Sequence, residues 1–337
     1  MDRLLKTAYA LWLRGRSYVR KIFIKAAVVS ASLISRDKKT RLPFMAGANL
    51  PWLRYGNDFG ANNWSPGGGV SRPEEREKLQ RIFLELRERG IFTLRWFLLC
   101  DGRAGIRFTA AGTPAGLDTF VFADLDAALE TAAACGLRII FVLLDFLWFG
   151  NAIMINGVQV RGRGEVIKGV FKQRALRRRV LKPILKRYGH SPVILAWDIV
   201  NEPEWATRGC GGASGAAVSF LAMRRFIKKT ARLVHRQTRH LATVGLGNAA
   251  GLPLVRGCGL DFYQVHWYDR WESLAPLDRP VAELGLDRPL LLGEFPTRNS
   301  TRPAPAIVAA AEKSGYCGAL AWSLLGGDRS SAIDLES

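Results

Sequence analysis

Val193-Ile194-Leu195-Ala196-Trp197-Asp198-Ile199-Val200-Asn201-Glu202-Pro203 is an apolar run of strand length that stops abruptly at an amide and a carboxylate. A strand apolar on both faces is one covered on both sides, as in a parallel sheet. Working outward, seven more such runs appear: Pro43–Asn49, Ile91–Leu98, Leu137–Asp145, Leu241–Asn248, Leu260–Tyr268, Leu290–Phe295 and Gly318–Leu324. Amphipathic stretches separate them, which is the alternation of strands with crossover helices. Eight strands close a barrel, and a chain of 337 residues accommodates one. The sequence therefore predicts an α/β fold, a (β/α)₈ TIM barrel, as a single domain over 41–337.

Boundary signals support the alternation. Ser71, Pro73 and Glu74 read as a capping-box helix start, and Gly90, Gly136, Gly189 and Gly315 fall where helices should stop. Asn156-Gly157, between Ile153–Ile155 and Val158–Val160, reads as a β-hairpin in a long excursion over 146–167. Little chain follows the eighth strand. Either an N-terminal helix covers that face or the closing helix is missing.

Residues 1–40 form a basic leader with Arg3, Lys6, Arg14, Arg16, Arg20, Lys21 and Lys25 ahead of a short apolar run, Ala26 to Ile34. It reads equally as an unusual signal peptide or as an amphipathic helix on a membrane surface, so peripheral membrane contact and compartment both stay open. No stretch is long and apolar enough for a transmembrane span.

Hydrophobic residues make up 48% of the chain, which excludes disorder, and the net charge is +20. The basic residues are spread along the chain, densest over 161–187, with no nucleic-acid-binding motif among them. We read the patch as a solvated face, with attraction to an acidic polysaccharide or an anionic membrane as the sharper alternative. The five cysteines read as free thiols, although a Cys210–Cys258 disulfide between two loops is conceivable; no metal-ligand spacing occurs.

In such a barrel, polar residues at the C-terminal strand ends face the active site. The fourth strand ends in Asn201-Glu202-Pro203 and the seventh in Gly293-Glu294-Phe295. Two carboxyls across a barrel mouth suit glycosidic cleavage, where one protonates the leaving oxygen and the other attacks the anomeric carbon or activates water. No metal or organic cofactor is expected, because the pair supplies both functions.

These two motifs together resemble family 5 of the glycoside hydrolases and its retaining (β/α)₈ clan, which includes cellulases and β-mannanases. The resemblance covers roughly residues 43–328. It implies that Glu202 is the acid/base and Glu294 the nucleophile. Arg95, in Thr93-Leu94-Arg95-Trp96, matches the family arginine that keeps the nucleophile ionised, and His266 and Tyr268 match its His-x-Tyr. Asn201 would bind the sugar 2-hydroxyl, Tyr268 would hydrogen-bond the nucleophile, and Trp322 would floor the cleaved sugar. Where many relatives carry a histidine after the third strand, this chain has Asp145-Phe146-Leu147-Trp148, nearer the Trp-bearing loop of mannanases. The substrate implied is a mannan- or glucan-type polysaccharide or oligosaccharide, an acidic one included. A catalytically silent carbohydrate-binding barrel is the alternative.

Trp52, Tyr55, Phe59, Trp64, Trp148 and Phe149 are either sugar platforms or loop packing. Glu165, Glu204 and Glu283 read as solvated surface, and Asp58 either reaches substrate or stabilises its turn.

Overall fold

The structure, a computed structural model, describes residues 44–213, 215–325 and 327–331. The expected leader over 1–40 lies outside the described residues. Eight strand positions follow in chain order: β1 (Met45–Leu50), β2 (Thr93–Phe97), β3 (Arg138–Val142), β4 (Ile194–Asp198), β5 (Leu241–Thr243 and Gly245–Leu246), β6 (Tyr263–His266), β7 (Leu290–Pro296) and β8 (Gly318–Trp322). Neighbours pair in parallel and β8 returns to β1. The ring closes through β5, whose first half bonds β4 and whose second half bonds β6. This is the single-domain (β/α)₈ barrel that the apolar runs predict.

The fifth run differs in one respect, since it breaks at Val244. There the Gly245 amide donates to the Asp198 carboxylate at 3.1 Å instead of continuing the ladder.

Alternation of side chains decides what fills the barrel. Met45, Ile140, Ala196, Phe262, Leu291 and Leu320 belong to one small apolar cluster. Two residues further along the same faces the chemistry changes: Ala196 gives way to Asp198, and Phe262 to Gln264 and then His266. On the opposite faces, Trp96, Phe141 and Trp197 stack across β2, β3 and β4, with centroids 6.3 and 5.6 Å apart. An apolar floor thus supports a polar mouth.

The outer layer comprises α1 (Pro73–Glu88), α2 (Val121–Ala134), α3 (Lys182–Tyr188, preceded by short helical turns from Gly164), α4 (Phe220–Gln237), the single turn α5 (Leu252–Val255) and α6 (Ala304–Ser314). Only 3₁₀ turns, Asp269–Trp271 and Val281–Leu284, follow β6. Pro73 opens α1 and Gly90 leaves it at φ 78°, but the expected capping box does not form. Ser71 instead donates its hydroxyl to Asp124 of α2 at 2.6 Å. Gly189 ends α3 without a left-handed turn. Its role is close approach, because a Cβ there would lie 2.3 Å from the Gln237 carbonyl.

The hairpin at Asn156-Gly157 forms as expected, with both residues at positive φ. Over 161–187 the apolar residues Leu176, Val180, Ile184 and Leu185 are buried, while Arg178, Arg179, Lys182 and Lys186 are exposed. That is the pattern of a solvated basic face on an outer helix. All five cysteines are free, so the conceivable Cys210–Cys258 bridge is absent. No described helix is long and apolar enough to cross a membrane.

Candidate active site

Arg95 organises the mouth. It is fully buried on β2, and a buried guanidinium must find acceptors. Its Nε donates to Asp198 at 2.9 Å, Nη1 to Asn49 at 3.0 Å and to Glu294 at 2.7 Å, and Nη2 to Asn201 at 2.7 Å. Room for this comes from Gly245, where a Cβ would lie 2.7 Å from Nη2 and 2.9 Å from the His266 ring. Asp198, also fully buried, is one of its carboxylate partners, and Gln264 holds it with a 3.0 Å bond.

Glu294 lies on β7, where a register shift against β6 brings it opposite His266. Besides Arg95, it accepts from the Tyr268 hydroxyl at 3.0 Å and faces His266 Nδ1 at 3.3 Å. Glu202 sits just beyond β4 in the left-handed region, φ 44° and ψ 52°, a costly conformation for a side-chain-bearing residue. That turn swings its carboxyl back over the barrel. Trp205 Nε1 donates to it at 3.1 Å and His266 Nδ1 lies 2.8 Å away.

One oxygen of Glu202, one of Glu294 and a ring nitrogen of His266 all lie within 4.8 Å of one another. These three are also close enough to hold a metal ion, but their atoms are already engaged by Arg95, Tyr268 and Trp205.

Burial pushes both carboxyls above the usual glutamate range. Arg95, Trp205 and Arg270 oppose the rise at Glu202, and His266, Arg95 and Tyr268 oppose it at Glu294. Sequence reasoning expected Arg95 to keep Glu294 low. The guanidinium does contact it, but burial outweighs that pull. Burial also drives His266 down to about 4, so the ring is neutral. Its single proton is assigned to Nδ1, which faces the carboxylates, since Nε2 has no partner among the described residues.

Asn201 is fixed at both ends. Its Oδ1 accepts from Arg95, and its Nδ2 donates to Asp145 at 2.9 Å, leaving one N–H for a ligand. Asp145 also caps the turn Phe146–Phe149 through Leu147 N, and burial lifts its pKa to about 7.

The chain is similar to several enzymes of one kind. The mannan endo-1,4-beta-mannosidase of Mytilus edulis is 26% identical over 326 residues, covering 83% of this chain and 83% of the relative. That of Cryptopygus antarcticus is 24% identical, covering 85% and 81%. Among solved structures, the endo-1,4-beta-mannanase of Eisenia fetida superposes with a TM-score of 0.73 at 24% identity, over 86% and 87% of the two chains. The chain is thus similar in sequence and in fold to endo-1,4-beta-mannanases. No family model matches it.

Several aromatic and acidic positions depart from expectation. Trp148 is fully buried, with its indole N–H donating to the Leu99 carbonyl at 3.2 Å and its ring 6.3 Å from Phe108. It packs the loop and is no open platform, because the Asp145 cap turns it inward. Phe59 and Phe149 are likewise core residues. Trp52 stays half-buried beside Tyr55 and Phe97, with centroids 4.4 and 6.2 Å away. Trp322, at the end of β8, is half-buried and donates to Asp328 at 2.8 Å. Asp58 accepts from Leu53 N, Arg54 N and Trp96 Nε1, each at 2.8 Å, so it stabilises its loop.

Glu204 overturns its surface reading. It is 6% exposed, and neither carboxylate oxygen has a hydrogen-bond partner among the described residues. Sequence reasoning also passed over Asn49, Asp198 and Gln264. Their signal was available: each is a polar residue inside an apolar strand.

Proposed function

We propose that this glycoside hydrolase cleaves internal β-1,4 linkages of a mannan with retention of configuration, Glu294 acting as nucleophile and Glu202 as acid/base. The observation that carries the mechanism is the approach of the two carboxylates, whose nearest oxygens lie within 4.8 Å. Retaining glycosidases hold their carboxyl groups about 5–5.5 Å apart, whereas inverting ones leave room for a water between them. The mannan assignment follows the named activity of the relatives.

Charge decides which glutamate keeps a proton. One guanidinium faces two carboxylates, Asp198 and Glu294, at 2.9 and 2.7 Å. A further negative charge at Glu202 would leave the buried cluster strongly anionic, so Glu202 retains its proton while Glu294 is ionised.

In the first step Glu294 attacks the anomeric carbon as the bond to the leaving oxygen breaks, and Glu202 passes its proton to that oxygen. A glycosyl ester on Glu294 results. In the second step water attacks the same carbon, Glu202 takes the water proton, and the Glu294 carboxylate departs. Asn201 offers its remaining N–H to the sugar 2-hydroxyl, a contact that strengthens in the transition state. Trp322 and Trp52 border the same mouth and supply aromatic faces for sugar rings.

The test is reducing-sugar release from mannan and from a β-glucan by the wild type, Glu202→Gln and Glu294→Gln. Release from mannan that both variants abolish is the expected result. Retained glycan binding with no release by the wild type would return the silent carbohydrate-binding barrel.

A further inference from the structure

The Glu202 side of the mouth contains an exposed cation with no carboxylate paired to it among the described residues. Arg270 lies in the 3₁₀ turn that follows β6, exposed, with its guanidinium carbon 5.0 Å from the Trp271 ring centroid and 5.8 Å from that of Tyr268. Trp271 stands 5.8 Å from Trp205, whose indole N–H donates to Glu202. Arg270, Trp271 and Trp205 therefore form one wall beside the acid/base.

No carboxylate among the described residues pairs with Arg270. Its sequence neighbour Asp269 accepts from the backbone and hydroxyl of Thr301 instead. Other arginines near the mouth are matched: Arg103 by Asp101, Arg302 by Glu272 and Asp278, and Arg54 by Glu75. A guanidinium stacked on aromatic rings keeps its in-plane N–H donors free, and their fork fits a carboxylate in bidentate fashion. Two indoles suffice to stack a neutral sugar; Arg270, whose charge also acts on Glu202, keeps donors that pair most strongly with an anionic group.

We propose that the leaving-group side of this site takes a sugar bearing a carboxylate, recognised by Arg270 over the Trp205–Trp271 wall. The proposal rests on the glycosidase reading above and names the substrate class more narrowly, as an acidic β-linked polymer. The net charge of +20 fits such a substrate, because a basic protein draws an anionic chain toward its surface.

The experiment compares mannotetraose with two acidic probes: its aldonate, oxidised at the reducing end to a carboxylate, and the tetrasaccharide ending in glucuronic acid. The reading is the ratio of kcat/KM for each acidic probe to that for mannotetraose. In the wild type at low ionic strength the ratio should be up to about fivefold, the scale of one exposed ion pair, and should fall with added salt. Arg270→Gln should bring the ratio to about one, Arg270→Lys should keep part of it, and Arg178→Gln, on the outer basic face, should leave it alone. Which acidic probe is preferred tells whether the carboxylate sits at C1 or C6.

A wild-type ratio of one or less, or a preference that survives Arg270→Gln, would overturn the proposal while the mannanase reading stood. Titration calorimetry of the same three probes separates the remaining case. If no probe is hydrolysed the glycosidase reading fails, and the binding preference and its loss in Arg270→Gln still decide the role of Arg270.

Discussion

The two sides of the barrel mouth hold the same residue type in opposite ways. Glu294 is part of a strand, almost fully buried, and tied to a guanidinium, a phenol and an imidazole. Glu202 lies past the end of its strand in a left-handed turn, half-buried, and its direct partners are two neutral rings. Burial raises both, but only Glu294 touches a full positive charge. In the proposed mechanism one becomes the anion and the other the acid, and the difference comes from where each strand stops.

The largest expected effect breaks the β7 side. Glu294→Gln keeps the hydrogen-bonding shape but removes the proposed nucleophile, so kcat on mannan should fall by about 10⁴-fold or more. Glu202→Gln should cost about 10²- to 10⁴-fold on mannan, the usual worth of general acid–base catalysis. The sharper comparison uses an aryl mannoside whose leaving group needs no proton. Bond cleavage by Glu202→Gln should then recover, seen as a burst of released phenol, while Glu294→Gln should stay silent. Equal losses on both substrates would remove the distinction between the two glutamates.

Next in size is the charge beneath Glu294. Asp198→Asn leaves the buried Arg95 with a single anionic partner, and breaking a buried pair costs about 3–5 kcal/mol. Denaturant unfolding should show a loss near the lower end, because Glu294 remains. A loss confined to activity, with stability intact, would mean that Glu294 alone suffices to hold the arginine.

Gly245→Ala should cost less, about 1–3 kcal/mol, as an overpacked methyl forces a shift in its neighbours. Backbone conformation is not the reason, since Gly245 lies in β5. The added Cβ would crowd Arg95, His266 and Asp198, at 2.7, 2.9 and 3.1 Å. Because those groups orient both glutamates, kcat should fall more than KM rises. An unchanged kcat would show that the polar mouth yields easily.

Much of this was legible in the residues, and what was not shares one cause. The eight apolar runs mark the barrel because strand burial is local chemistry, visible one residue at a time. Arg95 stood out as a charge on an apolar strand, and Asp198 carried the same signal without being assigned. The failures came from partners distant in sequence. Ser71 abandons its own helix for Asp124 of the next, 53 residues away. Trp148 looked like an aromatic platform until the Asp145 cap turned it into the core. Glu204 looked solvated because nothing beside it in sequence covers it, whereas the backbone at Gly251 comes so close that a Cβ there would lie 2.2 Å from its carboxylate.

Glu204 also sharpens the comparison with the smallest expected effect. It lies two residues from Glu202, but no cation pairs with its carboxylate among the described residues and only backbone N–H groups approach it. Burial raises its pKa from 4.5 to about 8, against the pull of backbone N–H groups that include those of Gly247 and Asn248. Between those two pH values the folded protein holds a proton that the unfolded chain has released, so stability must fall as pH rises through that window. Glu204→Gln cannot take up that proton. Its stability relative to wild type should therefore increase from about pH 5 to about pH 8, by on the order of 2 kcal/mol after allowance for relaxation around the ionised group. Asp145 and Asp58, lifted by burial to about 7 and about 6, bend the wild-type curve the same way. Both are present in the variant, so they cancel in the difference. Parallel curves from unfolding measured across the range would mean that Glu204 is already ionised in the folded state. The contrast between a glutamate with charged partners and one with none would then not govern ionisation on the β4 side.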